Sequence, residues 1–214
     1  MKTRLSGLLL LLALTVSTVQ AQEKKGKFDY AGFSGGMMIH TGYLYGGSIA
    51  LTAATNEILY LPQELSGAPI GIGGVARIHF GKHLRVGFEG YNTTLKYGKY
   101  DSYASIGWGG GLADCMWRFG KWAPYIGGTF GGGSFKNLTL IAPTPLDEVV
   151  ETHSSFRKYG FVTVVPFAGV EFAMTEKIRL NVKIDWMVNL SNPQSDFVSG
   201  PRVYFGFSFY RLKE

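Results

Sequence analysis

The sequence predicts an all-β fold, namely an eight-stranded antiparallel up-and-down transmembrane β-barrel that follows a cleaved N-terminal signal peptide. The strongest observation is the segment Ile178–Leu190, in which apolar and polar residues alternate almost without interruption, as in a strand with one apolar face. At about 3.3 Å per residue this segment spans roughly 43 Å, enough for a tilted strand to cross a hydrocarbon core about 30 Å thick. Seven further extended runs, joined by alternately short and long connections, complete the pattern.

An export signal is predicted at the start of the chain. Two basic residues precede the short apolar segment Leu8–Val16, and small residues lead to a cleavage site after Ala21. The apolar segment is too short to span a bilayer as a helix, and no later segment approaches the roughly 18 consecutive apolar residues that a spanning helix needs. Residues 1–21 are therefore interpreted as a signal peptide and residues 22–214 as a single barrel domain.

The composition excludes several functional classes. The chain carries 21 Lys and Arg residues against 15 Asp and Glu, a net charge of +6, but these charges are spread along the strands rather than gathered in a nucleic-acid-binding stripe. Cys115 is the single cysteine, so no disulfide framework is possible, and the four histidines lack metal-ligand spacing. The sequence of Gly71–Ala76 matches a dinucleotide-binding fingerprint, but that fingerprint requires a helix directly after it, and a strand is predicted there instead. We therefore expect no cofactor, no metal and no nucleic-acid partner.

Eight extended runs are predicted in order along the chain, each with an apolar face and a polar face. In the third run, Val86 and Phe88 lie on the face opposite to Arg85, and in the last run Phe205 lies opposite to Arg202 in the same way. The predicted runs are Phe33–Leu44, Ala68–Phe80, Leu84–Tyr97, Ser102–Arg118, Trp122–Leu140, Phe156–Met174, Ile178–Leu190 and Phe197–Tyr210.

The connections between the runs alternate in length. Tight turns follow the second, fourth and sixth runs, and the sequence Phe-Gly-Lys recurs in two of them, which indicates hairpins. The longest connections are Tyr45–Ser66 and the acidic segment Ile141–Ser155. Short turns on one side and long loops on the other are typical of outer-membrane barrels, and an even strand count places both termini on the short-turn side. The two long loops are the expected surfaces for an extracellular partner, because loops on a rigid scaffold commonly carry function.

Three segments interrupt the regular alternation. The Gly-rich centres Gly109–Gly111 and Gly131–Gly133 predict β-bulges that shift the facing of their strands. Pro166 lies in the middle of the sixth run, where a closed barrel has no free edge, so a bulge or a split of that run is expected.

Aromatic residues near run ends are expected to mark the membrane interfaces. These are Trp117, Phe119, Trp122 and Tyr125 on the periplasmic side and Tyr97, Tyr100, Tyr103, Tyr159 and Trp186 on the outer side.

Charged residues on the polar faces predict a packed lumen. An eight-stranded barrel is only wide enough for side chains to fill its interior, so inward charges must pair with one another rather than line a wide pore. Counting from the centre of the sixth turn places Glu171 opposite Arg179. Counting from the last loop places Asp185 opposite Arg202, and cross-strand neighbours on one face are close enough for ion pairs. The predicted network comprises Arg77, Arg85, Glu89, Asp114, Arg118, Glu171, Arg179, Lys183, Asp185 and Arg202.

The leader, the eight alternating runs and the aromatic last strand V-Y-F-G-F-S-F-Y at residues 203–210 resemble the small eight-stranded outer-membrane barrels of the OmpA-domain and OmpX kind. The resemblance covers nearly all of the chain after the leader, and it is architectural rather than a matched catalytic motif. It implies a location in the bacterial outer membrane, contact with outer-membrane lipid and lipopolysaccharide, and insertion by the barrel-assembly machinery.

The expected function is that of a non-enzymatic outer-membrane barrel that contributes to envelope structure or presents its loops to a partner. Three alternatives stay open. An enzyme that modifies lipid or lipopolysaccharide would need a catalytic dyad, for which Glu151, His153 and Ser154 are weak loop candidates, and no catalytic residue is assigned. A narrow channel is the second alternative. The third is a soluble lipocalin-like ligand carrier, whose apolar faces would point inward.

Overall fold

The structure, a computed structural model, describes residues 29–47, 64–98, 102–140, 154–191 and 194–212. In these ranges the chain is built of strands, and none of it forms a helix long and apolar enough to cross a membrane. The strands are β1 (Tyr30–Gly42), β2 (Leu44–Tyr45), β3 (Ser66–Gly67), β4 (Ile70–Phe80), β5 (Leu84–Tyr97), β6 (Ser102–Met116), β7 (Trp122–Leu140), β8 (Ser154–Ala173), β9 (Ile178–Trp186), β10 (Val188–Asn189) and β11 (Pro201–Leu212).

The eight long strands close into one antiparallel ring. Each long strand pairs with the next long strand along the chain, and β1 also pairs with β11, which closes the described ring without a free edge. The short β10 continues the line of β9 beside β8, and β2 and β3 form a separate small ladder at the base of the first long loop. This is the predicted eight-stranded up-and-down barrel. We call the end with the turns β4–β5, β6–β7 and β8–β9 the turn end, and the opposite end the loop end.

The predicted runs agree with the strands in order and, for the most part, in extent. The runs Leu84–Tyr97 and Trp122–Leu140 coincide with β5 and β7 residue for residue. The last predicted run begins too early, because β11 begins at Pro201 rather than at Phe197. The physical reason is that Val198 is buried inside the barrel and Phe197 packs against buried residues there, so their apolar character does not reflect a membrane-facing strand.

The barrel carries its apolar side chains outside and its charges inside. Phe88 is 74% exposed, whereas Arg85 and Glu89 on the other face of β5 are 1% and 5% exposed. The same division holds along β11, where Phe205 is exposed and Arg202 is buried. A soluble lipocalin-like carrier would place its apolar residues inside, so that alternative is wrong.

The Gly-rich centres of β6 and β7 do not form the predicted bulges. The pairing between β6 and β7 runs from Tyr103 and Leu138 to Met116 and Tyr125 without a change of register. The glycines instead bring the two backbones together, since a Cβ at Gly110 would overlap the backbone of β7. Close approach, rather than an inserted residue, explains the glycines, and the facing of both strands stays regular from end to end.

Pro166 causes neither a bulge nor a split of its own strand. β8 is continuous, and Pro166 lies opposite Gly128 of β7 in an unbroken register. The interruption falls on the other neighbour, where β9 ends at Trp186 and β10 begins at Val188. Proline has no N–H to donate. The ladder between β8 and this neighbour is interrupted beside Pro166, but the pairs of β8 with β9 and with β10 keep the same register.

The aromatic residues assigned to the membrane interfaces divide between two locations. At the turn end Trp117, Phe119 and Trp122 are exposed as predicted, and at the loop end Tyr103 and Trp186 are exposed. The interface assignment was wrong for Tyr97, Tyr125 and Tyr159. Their side chains point into the lumen, where their hydroxyl groups make hydrogen bonds. Tyr100 lies outside the described residues.

Several predictions fall on segments that the structure does not describe. The signal peptide at residues 1–21 is one of them. Residues 48–63 of the first long loop and residues 141–153 of the acidic loop are the others, and the latter contain Glu151 and His153. Ser154 is described only as the first residue of β8.

Candidate functional site: the packed lumen and the outer surface

At the turn end the lumen contains a cluster of two carboxylates and three arginines. Arg77 and Arg85 donate from Nε to the two oxygens of Asp114 at 2.8 Å and 2.5 Å. Arg85 also donates from Nη1 to Glu171 Oε1 at 2.6 Å, and Arg179 Nη1 lies 3.7 Å from Glu171 Oε2. Because Arg85 belongs to β5 and Glu171 to β8, the cluster joins strands that are not neighbours in the wall.

A second cluster, here called the central cluster, lies above the first and pairs each cation with a carboxylate. Lys183 Nζ lies 2.8 Å from Glu89 Oε2 and 3.6 Å from Asp185 Oδ2. Arg202 donates from Nε to Asp185 Oδ1 at 2.7 Å, and the Thr129 hydroxyl donates to Glu89 Oε1 at 2.6 Å. All four charged side chains are buried, so each one depends on its partner for compensation of its charge.

Aromatic rings surround the cations of the central cluster. The ammonium of Lys183 lies 4.2 Å from the ring centre of Tyr204 and 4.7 Å from that of Tyr91. The guanidinium carbon of Arg202 lies 5.1 Å from the ring centre of Trp108. These distances are within the range of cation–π attraction, so the rings both fill the lumen and stabilise its positive charges.

Neutral polar groups that were not predicted to face the lumen complete it. The Tyr210 hydroxyl donates to Glu171, and the Tyr125 hydroxyl donates to Asn181 Oδ1 at 2.7 Å. The signal for Tyr210 and Asn181 was the parity of their strands, since each lies an even number of positions from a buried charge on the same face, Arg202 and Lys183 respectively. For Tyr125 the signal was its alternation with the outward residues Trp122 and Ile126 of β7.

Inward-facing glycines make room for the largest rings. A Cβ at Gly73 would overlap the ring of Tyr91, and a Cβ at Gly71 would overlap the imidazole of His40. Both rings therefore occupy space beside β4 that a side chain would fill. The glycine content of the strands is a packing requirement of a narrow barrel whose lumen is filled by side chains.

At the loop end, residues before β11 fold inward and cover the lumen. Phe197 packs against Phe135 and Phe161, with ring centres 6.1 Å and 5.1 Å apart. Asp196 is fully buried, and its Oδ2 lies 3.2 Å from Nη1 of Arg157 on β8. We call residues 194–200 the inward segment. Its apolar residues continue the pattern of the strand that follows, so alternation alone does not distinguish the inward segment from that strand.

Nine residues of the predicted charge network lie buried in the lumen, in the two clusters described above. Asp185 lies directly opposite Arg202, at the predicted register. The nine residues are Arg77, Arg85, Glu89, Asp114, Glu171, Arg179, Lys183, Asp185 and Arg202.

Two predictions about the network were wrong. Glu171 lies opposite Asn181 rather than Arg179, because the pairing of β8 with β9 is centred on Glu176, one residue later than a pairing of Glu171 with Arg179 requires. Arg179 still reaches Glu171, but diagonally. Arg118 is not in the lumen: β6 ends at Met116, and Arg118 is exposed in the turn that follows.

Among the described residues, no group of three or more His, Cys, Asp and Glu side chains is arranged to hold a metal ion. Cys115 faces outward from β6 and is partly exposed.

The outward surface has the character of a lipid-facing belt. Side chains such as Phe88, Phe130 and Ile70 are more than half exposed, and a contiguous apolar exterior of this size requires hydrocarbon around it. The fold is that of a small outer-membrane β-barrel. With its apolar belt outside and its charges inside, the barrel is built to lie in a membrane.

Solved structures with the same fold support this assignment. Neisserial surface protein A is similar with a TM-score of 0.55 at 14% identity, over 85% of this chain and 98% of that one. The outer membrane protein OprG from Pseudomonas aeruginosa is similar with a TM-score of 0.50 at 12% identity, over 87% of this chain and 99% of that one. No family model matches the sequence, and no curated protein matches it. The likeness is therefore one of fold.

Proposed function

We propose that the protein is a non-enzymatic outer-membrane barrel that supports envelope structure and presents its long loops outside the cell. The observation that carries this proposal is the filled lumen. Arg77, Arg85 and Arg202 are among the largest fully buried side chains of the described chain, and each forms an ion pair with a buried carboxylate inside the lumen. A lumen built in this way is a rigid scaffold rather than a path for solutes.

The two long loops are the proposed contact surfaces, at residues 45–66 and 141–155. The first loop begins from a structured base, in which Tyr45 pairs with Ser66 and bridges to Ser199. A structured base on a rigid barrel holds a loop in a defined position, which favours recognition of an extracellular partner. The proposal also includes contact with lipid and lipopolysaccharide, insertion by the barrel-assembly machinery and removal of residues 1–21 during export.

Planar-bilayer recording tests the closed lumen. Protein shown to be folded by its gel mobility is inserted in a bilayer, with a conducting porin as the positive control for insertion. We expect no steady ion current, because two ionic clusters and the inward segment fill the lumen in series. A reproducible single-channel conductance from the folded protein would instead support the narrow-channel alternative.

Cysteine labelling on intact cells tests the orientation. In a Cys115→Ser background, Thr144→Cys places a thiol in the acidic loop and Glu176→Cys places one in a short turn. A membrane-impermeant maleimide should label the first variant on intact cells and the second only after the outer membrane is permeabilised. Labelling of the turn variant on intact cells would contradict external presentation of the long loops.

A further inference from the structure

Two lysines face each other on the outside of the barrel. Lys136 of β7 lies directly opposite Lys158 of β8, and both are exposed. Their side chains point outward, because the neighbouring residues Phe135 and Asn137 are buried in the lumen. Directly opposed residues have Cβ atoms about 5 Å apart, and like charges in such a pair are destabilising. The pair therefore needs a negative partner.

The described wall does not supply that partner. Ser105 lies opposite Lys136 on the other side, and Thr94 lies opposite Ser105, so the neighbouring outward positions are uncharged. Among the described residues no ion pair involves Lys136 or Lys158. A third exposed lysine, Lys96 on β5, extends the positive surface across four adjacent strands.

The position of the pair along the barrel points to the kind of partner. From Trp122 at the turn end to Lys136, a tilted strand climbs about 35 Å, slightly more than the ~30 Å of the hydrocarbon core. Outward residues below the pair are apolar, as at Ile126 and Phe130. The exposed ring of Tyr103 lies at the level expected for an aromatic residue at the membrane interface. The lysines are therefore at the level of the lipid headgroups of the outer leaflet.

We infer that the loop-end part of β5–β8 is a docking surface for the phosphorylated headgroup of an anionic lipid, with Lys136 and Lys158 as its main ligands and Lys96 at its edge. A phosphate group between two ammonium groups replaces their repulsion with two charge-assisted contacts. Acyl chains of the same lipid lie against the apolar belt below. This inference rests on the proposed function, because it requires the barrel to be in a membrane.

Heat stability in vesicles of defined composition tests the inference. The folded parent protein is reconstituted in phosphatidylcholine alone or with phosphatidylglycerol, and the temperature at which its gel mobility changes is recorded. The test variant combines Lys136→Ser with Lys158→Ser. The matched control combines Lys82→Ser with Lys177→Ser, which removes two exposed lysines at the turn end. We expect phosphatidylglycerol to raise the transition temperature of the parent and the control, and we expect this shift to be lost in the test variant.

A charge reversal sharpens the test. Lys136→Glu places a carboxylate opposite Lys158, so the wall itself satisfies the remaining cation. In phosphatidylcholine alone this variant should melt above the parent, and addition of phosphatidylglycerol should leave its transition temperature unchanged.

Three results would overturn the inference while the barrel itself stays folded. An equal lipid shift in parent, test variant and control would show a nonspecific charge effect. An equal shift from inorganic phosphate at the same phosphate concentration would show that a free anion suffices. A lipid-induced shift in transition temperature that arises only after Asp147, Glu148 and Glu151 are neutralised would show that the lysines of the parent pair with the acidic loop. Failure of the parent to insert in vesicles or to shift on gels would contradict the proposed function instead.

Discussion

Lys183 illustrates how a charged side chain is stabilised inside the filled lumen. Its ammonium group is fully buried, pairs with Glu89 and Asp185, and lies against the rings of Tyr91 and Tyr204. Burial of an unpaired charge costs several kcal/mol, whereas a buried pair with good geometry roughly compensates that cost. The residue is therefore tolerated because of its partners, and the partners depend on it in turn.

We predict that Lys183→Met and Glu89→Gln each lower the free energy of unfolding by about 3–5 kcal/mol, because each leaves an unpaired charge in the lumen. The double variant should be clearly more stable than the sum of the two single losses predicts. Urea unfolding in vesicles measures all three values, with Lys177→Met in an exposed turn as the control. Additive losses would show that the two charges do not depend on each other.

Gly73 is an inward-facing glycine at which a single added methyl group tests how much space the rings need. Gly73→Ala should lower the free energy of unfolding by about 1–3 kcal/mol, because the new methyl group overlaps the Tyr91 ring and the wall must shift. Gly107→Ala is the matched control, since a Cβ there meets no other atom within 4 Å. Equal stability of the two variants would contradict the account of inward glycines as space for rings.

The sequence predicts which residues face the lumen better than it predicts their individual partners. Strand parity is enough to place Arg85 and Glu89 inside. It cannot find the bond between Arg85 and Glu171, because β5 and β8 are not neighbours and only the closed cross-section brings these residues together. The same parity argument fails for Arg118, whose strand ends before it.

At the scale of the element, alternation predicts strands well because each strand has one face in lipid and one in a packed interior. It fails at the inward segment, where Phe197 and Val198 are apolar for a different reason. It also fails at the Gly-rich centres, because the sequence alone does not distinguish a bulge from a close approach of two backbones.

Replacement of Pro166 tests whether the proline causes the interruption beside β8. Pro166→Ala supplies an N–H where the ladder between β8 and its neighbour is interrupted, so the gap between Trp186 and Val188 should close. We expect slower amide hydrogen exchange at residues 186–188 and a gain of about 0.5–1.5 kcal/mol in the free energy of unfolding. Unchanged exchange there would place the cause of the interruption in β9 rather than in the proline.

Because the ring of strands is closed, we expect the whole barrel to resist denaturation as a single unit. The protein in the membrane fraction should migrate differently on gels before and after boiling, because a barrel without a free edge keeps its compact form in detergent until it is heated. Truncation of β11 opens the ring and should abolish the mobility shift. Recovery of the intact protein in the soluble periplasmic fraction would contradict the membrane assignment.

The pairing of β1 with β11 also has a consequence for biogenesis. Residues 32–42 form their ladder with residues 202–212, so the first strand to be exported cannot complete its pairing until the last strand is in place. Until then the chain has two open edges that can pair with other chains. Glu171 and Glu89 likewise obtain Arg85 and Lys183 only when distant parts of the wall meet. Neutralisation of these two carboxylates is therefore a late event in assembly, and it distinguishes a finished barrel from an incomplete one.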